Sequence, residues 1–141
     1  MNYTMQVRAD LLEQFEAGTI NPAQFHHRQH VEVVWLYLQR FPAAEVLTRF
    51  SDALRRFARS IGKENLYHAT ISWAYVLLVN ERLERARIAG RTAATFDEFA
   101  AENADLLNWK PSILNRYYSE ETLWSDTARA TFVFPDAMAD L

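Results

Sequence analysis

The chain has 141 residues, no cysteine and a net charge of −3. This length suits a single domain with its own core, and the lack of cysteine excludes disulfides, thiolate catalysis and cysteine-ligated metal sites. The acidic balance disfavours nucleic acid as the main partner. No apolar run approaches the roughly 20 residues of a membrane span, and the acidic residues within the first apolar repeat do not suit a signal peptide. We therefore expect a soluble cytoplasmic protein that does not enter a membrane.

Apolar residues recur at spacings of three and four along most of the sequence, which predicts amphipathic helices. Glycine and proline are few, and they mark most of the predicted helix ends. Four longer helices are predicted over residues 4–17, 22–41 (or 27–41 after a break), 42–61 and 65–89. Shorter helices are predicted to begin at Phe96 and Pro111 and after the capping residues Ser119 and Ser125. We predict a single all-α domain over residues 1–141, a bundle of the four longer helices with several short C-terminal ones.

The fourth predicted helix is apolar nearly all round in its middle part, which includes Trp73 and Leu77. A helix of that kind is expected to be central and buried on more than one side. The final segment, residues 131–141, is expected to be a tail that Phe132 and Phe134 hold on the body of the protein.

Three of the four histidines lie within FHHRQHVEVVWLYL, residues 25–38. On a helical wheel, His27 falls near the centre of the apolar face and His30 falls on its flank. His26 points well away from that face. The wheel therefore selects His27 and His30, at positions i and i+3, as the pair that faces the interior.

The remaining histidine, His68, shares a face of the fourth predicted helix with Tyr75, and Glu64 lies on the same side one turn earlier. Neutral imidazole is a common ligand of zinc, iron, copper and nickel. Three protein ligands with one open position can activate water or bind a substrate. We therefore predict a transition-metal site at His27, His30 and His68, in a protein that could be an enzyme acting on a small molecule. The sequence does not distinguish among these metals or give the reaction.

Other polar residues could surround this site. Arg116 could clamp a carboxylate or phosphate, and Tyr118 could donate a proton or orient a ligand. Glu64 and Asp126 could complete the metal coordination. Residues 109–118, WKPSILNRYY, would also suit a pocket lid. The candidates for outer or substrate-facing roles are Glu64, Tyr75, Arg116, Tyr118 and Asp126.

A second interpretation involves no metal. A histidine near a helix start can cap the helix, stack on a tryptophan or bond a backbone carbonyl. The histidines would then be polar core residues, bonded to Tyr37, Tyr67 or Tyr75 and to the C-terminal segment. The aromatic content of 13 % would serve a small-ligand pocket or a homodimer interface. In the C-terminal segment, the residues expected to anchor the tail or cap short helices are Tyr117, Tyr118, Ser119, Ser125 and Asp126.

The outer face of the third predicted helix is basic, which raises a third interpretation, a regulator that touches nucleic acid. The acidic net charge disfavours it, and the fourth predicted helix mixes acidic and basic residues as a solvated face does. The basic residues concerned are Arg49, Arg55, Arg56, Arg59 and Lys63.

Three stretches of the chain, FHHRQHVEVVWLYL, LYHATISW and LNRYYSEETLWSDTARATFVFPD, resemble a family of short bacterial proteins of unassigned activity. The shared motifs are H-R-x-H, Y-H-x-T, R-Y-Y-S, S-D-x-A-R and a closing P-D, and the resemblance runs from about Phe15 to Asp136. This chain departs from the family in one respect, because Trp73 lies closer to the Y-H-x-T motif than expected. The resemblance implies no reaction, and implies only that certain positions belong together. Those positions are His27, His30, His68, Thr70, Arg116, Tyr117, Tyr118, Ser119, Ser125, Asp126, Arg129 and Asp136.

Overall fold

The computed structural model of the chain describes residues 11–137, and the all-α prediction is confirmed for that range. Residues 11–17 form the described part of helix α1, and no β-strand occurs between residues 11 and 137. The predicted start of the first helix, at residue 4 or 5, lies outside the described residues. The other helices are α2 (His27–Leu38), α3 (Ala43–Ser60), α4 (Ala69–Ile88), α5 (Phe96–Glu102), α6 (Ala104–Leu107), α7 (Glu120–Leu123) and α8 (Asp126–Ala130). Short 3-10 turns lie at Pro22–Gln24, Glu64–Leu66 and Ile113–Arg116.

Most predicted helix ends are confirmed, because the local signals at those positions are strong. Gly18, Gly62 and Gly90 follow α1, α3 and α4 with φ angles of 72°, 68° and 77°. Glycine adopts this left-handed conformation without strain, which ends a helix cleanly. Thr95 accepts a hydrogen bond from the backbone N–H of Glu98, so α5 starts where the sequence predicts.

The second helix begins at the later of its two predicted starts, His27. Asn21 caps only the short turn Pro22–Gln24, where its side-chain oxygen accepts a backbone N–H. Phe25 then leaves helical geometry, with φ −113° and ψ 78°, and separates the turn from α2. The helix ends at Leu38, earlier than expected.

Helix α4 begins at Ala69, so the predicted start near residue 65 is wrong. Tyr67 has an extended backbone, with φ −68° and ψ 132°, and it separates the turn Glu64–Leu66 from α4. His68 is therefore the N-cap of α4 and does not lie within the helix. Glu64 consequently cannot lie one helical turn before it.

Helix α4 is also less buried than its composition suggests. Trp73 and Leu77 are 36 % and 40 % exposed, so the prediction that the helix is covered at these two positions is wrong. The ring of Trp73 stacks on Phe132, with 5.9 Å between centroids, which covers only part of it. Within residues 11–137, neither α4 nor any other helix combines the length and the apolar character needed to cross a bilayer.

The chain forms two compact units, unit 1 up to Tyr67 and unit 2 from His68 onwards. In unit 1, α2 packs on α3, and α3 packs on the turn that follows it. The core of unit 1 is aromatic, with the Phe15 ring centred 5.1 Å from Phe25 and 5.7 Å from Phe50. The predictions of a single domain and of a four-helix bundle stay predictions.

In unit 2, α4 packs on α8, α7 packs on α8, and α5 packs on α6. A bidentate ion pair joins α4 to α6, with Arg82 Nη1 and Nη2 lying 2.9 and 2.8 Å from the two carboxylate oxygens of Asp105. Arg82 Nη1 also donates to Asn103 Oδ1 at 3.0 Å. This pairing keeps the pKa of the Asp105 carboxyl below its usual range.

Candidate functional site

The clustered histidines occupy the first turn of α2 in unit 1. His26 is the N-cap, and its backbone N–H donates to Gln29 Oε1 at 2.9 Å. His27 is the first residue of the helix and is half-buried. His30 is also half-buried, and its imidazole stacks on Phe25 with 4.1 Å between ring centroids. Part of the cluster therefore serves the helix start, and His30 continues the aromatic core.

His30 is neutral at physiological pH. Burial, together with smaller effects of the neighbouring His27 and His26, lowers the pKa of its imidazole to about 4. A neutral imidazole offers one N–H donor and one lone pair.

His68 in unit 2 is almost fully buried, with 4 % of its surface exposed. Its Nδ1 accepts a hydrogen bond from the backbone N–H of Ile71 at 3.2 Å, which caps α4. Its Nε2 lies 2.6 Å from the carbonyl oxygen of Leu123 in α7. Because a carbonyl can only accept, Nε2 carries the proton and Nδ1 is unprotonated. Burial and the charge of Arg129 lower the pKa of this imidazole, against the effect of the Leu123 bond, which raises it.

This arrangement does not fit His68 as a metal ligand. A metal needs the lone pair of an unprotonated nitrogen. The Nδ1 lone pair is directed at the Ile71 N–H, and Nε2 donates to Leu123. Coordination would therefore break one of the two hydrogen bonds. Across the part of the chain that the structure describes, no three His, Asp or Glu side chains form a group able to hold a metal ion.

The C-terminal segment is tied to α4 next to His68 through Thr70, whose Oγ1 donates to Thr131 O at 2.9 Å and accepts from Val133 N–H at 3.1 Å. Tyr118 donates from its hydroxyl to Val133 O at 2.8 Å, which confirms its expected role as an anchor of the tail. Phe134 is 83 % exposed, so the prediction that it holds the tail is wrong. Hydrogen bonds from the side chains of Thr70 and Tyr118 to the backbone fix this segment instead, together with the stacking of Phe132 on Trp73.

Asp136 closes the same segment. Its carboxylate accepts from Ser119 N–H at 2.9 Å, Ser119 Oγ at 2.7 Å and Thr122 Oγ1 at 2.7 Å. These bonds lower the pKa of Asp136 to about 2. In the sequence only the resemblance pointed to this residue, because a single aspartate carries no local signal of its bonding partners.

The other candidate site residues make separate contacts. Tyr75 is buried and its hydroxyl lies 2.8 Å from Ser112 Oγ. Arg116 is exposed, with Nη1 3.8 Å from Asp105 Oδ2. The N-caps of α7 and α8 are Ser119 and Ser125, as predicted. The prediction that Asp126 is also a cap is wrong, because it is the first residue of α8, and it is exposed like Glu64.

Three pockets lie beside these residues, two in unit 2 and one in unit 1. One of those in unit 2, about 230 Å³, is lined by residues that include Tyr117, Tyr118 and Phe132. The tryptophan pocket of unit 2, about 360 Å³, is lined by residues that include Trp109, Lys110 and Trp124. The histidine pocket of unit 1, about 240 Å³, is lined by residues that include His30 and Lys63. Sequence analysis placed Trp109 and Lys110 only within the suggested pocket lid, residues 109–118, and did not select Trp124, because exposure of a tryptophan cannot be read from its neighbours.

No protein-family model, curated protein or solved structure matches this chain. The resemblance to a family of short bacterial proteins therefore stays a prediction. Among the residues that it groups, Ser119 and Asp136 are joined by hydrogen bonds in unit 2, whereas His68, Thr70 and Tyr118 bond to Leu123, Thr131 and Val133, which it does not group. Any function has to be argued from this geometry.

Replacing His68 tests the structural role of its two hydrogen bonds. We expect His68→Ala to lower the free energy of unfolding by about 2–4 kcal/mol, because it removes both bonds and leaves a cavity. His68→Asn keeps a side-chain oxygen that can cap α4, so its loss should be smaller by about 1 kcal/mol. Urea denaturation measures both values. Two variants as stable as the wild type would contradict this role.

Acidification should destabilise the protein through His30. The pKa is lower in the folded state than the value of 6.5 for a free histidine, so the unfolded state binds more protons between about pH 6.5 and 4. His30 therefore leaves the free energy of unfolding unchanged above about pH 6.5. It reduces this free energy as the pH falls towards 4, by up to about 3 kcal/mol. Denaturation at pH 7 and pH 5 should show a smaller fall for His30→Phe than for the wild type. Equal falls would contradict the shifted pKa.

Proposed function

We propose that this protein is a metal-free binding protein for a small planar molecule, which it takes up in the tryptophan pocket. The observation that carries the proposal is that Trp109 and Trp124 are 40 % and 46 % exposed and both line a concave pocket of about 360 Å³. Tryptophan is on average highly buried in proteins. Pockets of a few hundred Å³ with aromatic walls are typical of small-ligand sites.

The tryptophan pocket is lined by both apolar and polar residues. Ile71 and Leu123 contribute apolar surface, from the first turn of α4 and the last residue of α7. Lys110, Asn115 and Glu120 contribute an ammonium, an amide and a carboxylate. A ligand with a flat ring and a few polar substituents matches this combination, because the ring stacks on the indoles and the substituents find hydrogen-bonding partners.

Trp124 packs against two residues, His68 and Arg129, that do not line the pocket. The His68 ring meets the Trp124 ring edge to face, with 5.4 Å between centroids and an angle of 90°. The guanidinium of Arg129 lies 5.3 Å from the centroid of the same ring. A ring held by its neighbours loses little freedom when a ligand stacks on it, and this favours binding. In this proposal His68 supports the pocket and does not touch the ligand.

A metal site at His27, His30 and His68 stays a prediction, with zinc, iron, copper or nickel as its metal. It requires His68 to give up one of its two hydrogen bonds, which is why we favour binding without a metal. Elemental analysis of protein purified without a histidine tag tests that site. Enzymatic activity, a homodimer and a cytoplasmic location also stay predictions.

Ligand binding can be tested with a panel of planar ring compounds such as indole, benzoate and adenine. We expect at least one to bind with saturation in a nuclear magnetic resonance titration. Trp109→Ala and Trp124→Ala should each weaken that binding about tenfold, since aromatic stacking contributes about 1.5 kcal/mol at its upper range.

Trp73→Ala is the matched control, because Trp73 is 36 % exposed in the same unit but does not line this pocket. Its affinity for the same compound should equal that of the wild type. If no compound binds, or if the Trp109→Ala Trp124→Ala double variant retains full affinity, the proposed function is wrong.

A further inference from the structure

The histidine pocket of unit 1 has predominantly apolar walls. Phe57 and Phe25 line it, and their rings pack together with 5.1 Å between centroids. Leu54 and Ile61 add aliphatic surface from α3 and from the residue that follows it. The volume of about 240 Å³ suits a ligand smaller than a typical drug molecule.

The charged side chain that lines the histidine pocket is positive. Among the described residues that line it, Lys63 carries a positive charge and none carries a carboxylate. Lys63 forms no ion pair with any residue between 11 and 137. The guanidinium of Arg55 lies 4.5 Å from the ring centroid of Tyr67, which also lines the pocket, but Asp52 lies 3.9 Å from Arg55 and offsets its charge, so Lys63 is the cation that matters here. An anionic group is therefore favoured here over a cationic one.

His30 adds a polar group without adding a charge. Its ring is held by stacking on Phe25, and it lines the pocket. As a neutral imidazole it offers one donor and one acceptor nitrogen. A carboxylate has lone pairs for a donated N–H as well as charge for an ammonium.

We propose that the histidine pocket binds a small apolar carboxylate, with its carbon skeleton against Phe25 and Phe57 and its carboxylate at Lys63. The combination of apolar walls, one cation and one neutral imidazole carries this inference. The site belongs to unit 1 and is independent of the tryptophan pocket, so either site can be present without the other.

Hexanoate, hexanamide and hexylamine test the proposal, because they share a chain and differ in charge. In a nuclear magnetic resonance titration, hexanoate should bind about tenfold more tightly than hexanamide, and hexylamine should bind most weakly. The amide shifts that hexanoate causes should concentrate in residues lining the histidine pocket. Lys63→Met keeps an apolar stem without the charge and should reduce hexanoate affinity about tenfold while leaving hexanamide affinity unchanged.

Arg40→Met is the control, since Arg40 is an exposed cation of unit 1 that does not line the pocket. It should bind hexanoate as the wild type does. Any of three results would overturn the proposal: no saturable binding of hexanoate, equal binding of hexanoate and hexylamine, or full hexanoate affinity in Lys63→Met. Failure of the tryptophan pocket to bind ring compounds would leave these results unaffected.

Discussion

One buried imidazole both caps the start of α4 and joins it to α7 in unit 2. His68 uses Nδ1 to cap α4 through Ile71 and Nε2 to bond Leu123 at the end of α7. Thr70, two residues later, bonds the segment that follows α8. A buried polar group costs free energy unless it is paired, so these bonds favour one position of α7 and of the segment after α8 against α4. Helices as short as α7 and α8 could not be stable alone.

The same bonds position the candidate ligand site. Leu123 and Ile71, the two partners of His68, both line the tryptophan pocket, and Trp124 packs on the imidazole itself. The short helices of unit 2 have few residues with which to build a rigid wall. A pocket whose walls are attached to one buried side chain is preorganised, and preorganisation lowers the entropic cost of binding. The histidine pocket obtains its rigidity differently, from the packed aromatic core of unit 1 around Phe25.

The sequence predicts the helices well where local signals decide them, as at Thr95 for α5 and Gly62 after α3. It fails at His68, because an imidazole is an unusual N-cap and the wheel assumes that the helix already exists there. Of the bonds expected for the histidines, the one to the C-terminal segment is present at His68, whereas the expected bond to a tyrosine stays a prediction. The carbonyl partner, Leu123, depends on tertiary packing that no spacing reveals. Exposure of Trp124 likewise depends on how α7 and α8 pack, which explains why the sequence suggested residues 109–118 as a pocket lid but did not select Trp124.

The most direct test of this account is the protonation state of His68, measured from the imidazole nitrogen chemical shifts of 15N-labelled protein with His68→Asn for assignment. The account predicts a neutral ring with the proton on Nε2 at pH 7, and shifts that do not change when one equivalent of zinc is added. A proton on Nδ1, a charged ring, or nitrogen shifts that move to metal-bound values with zinc would contradict it. The last result would restore the histidine metal site as the better interpretation.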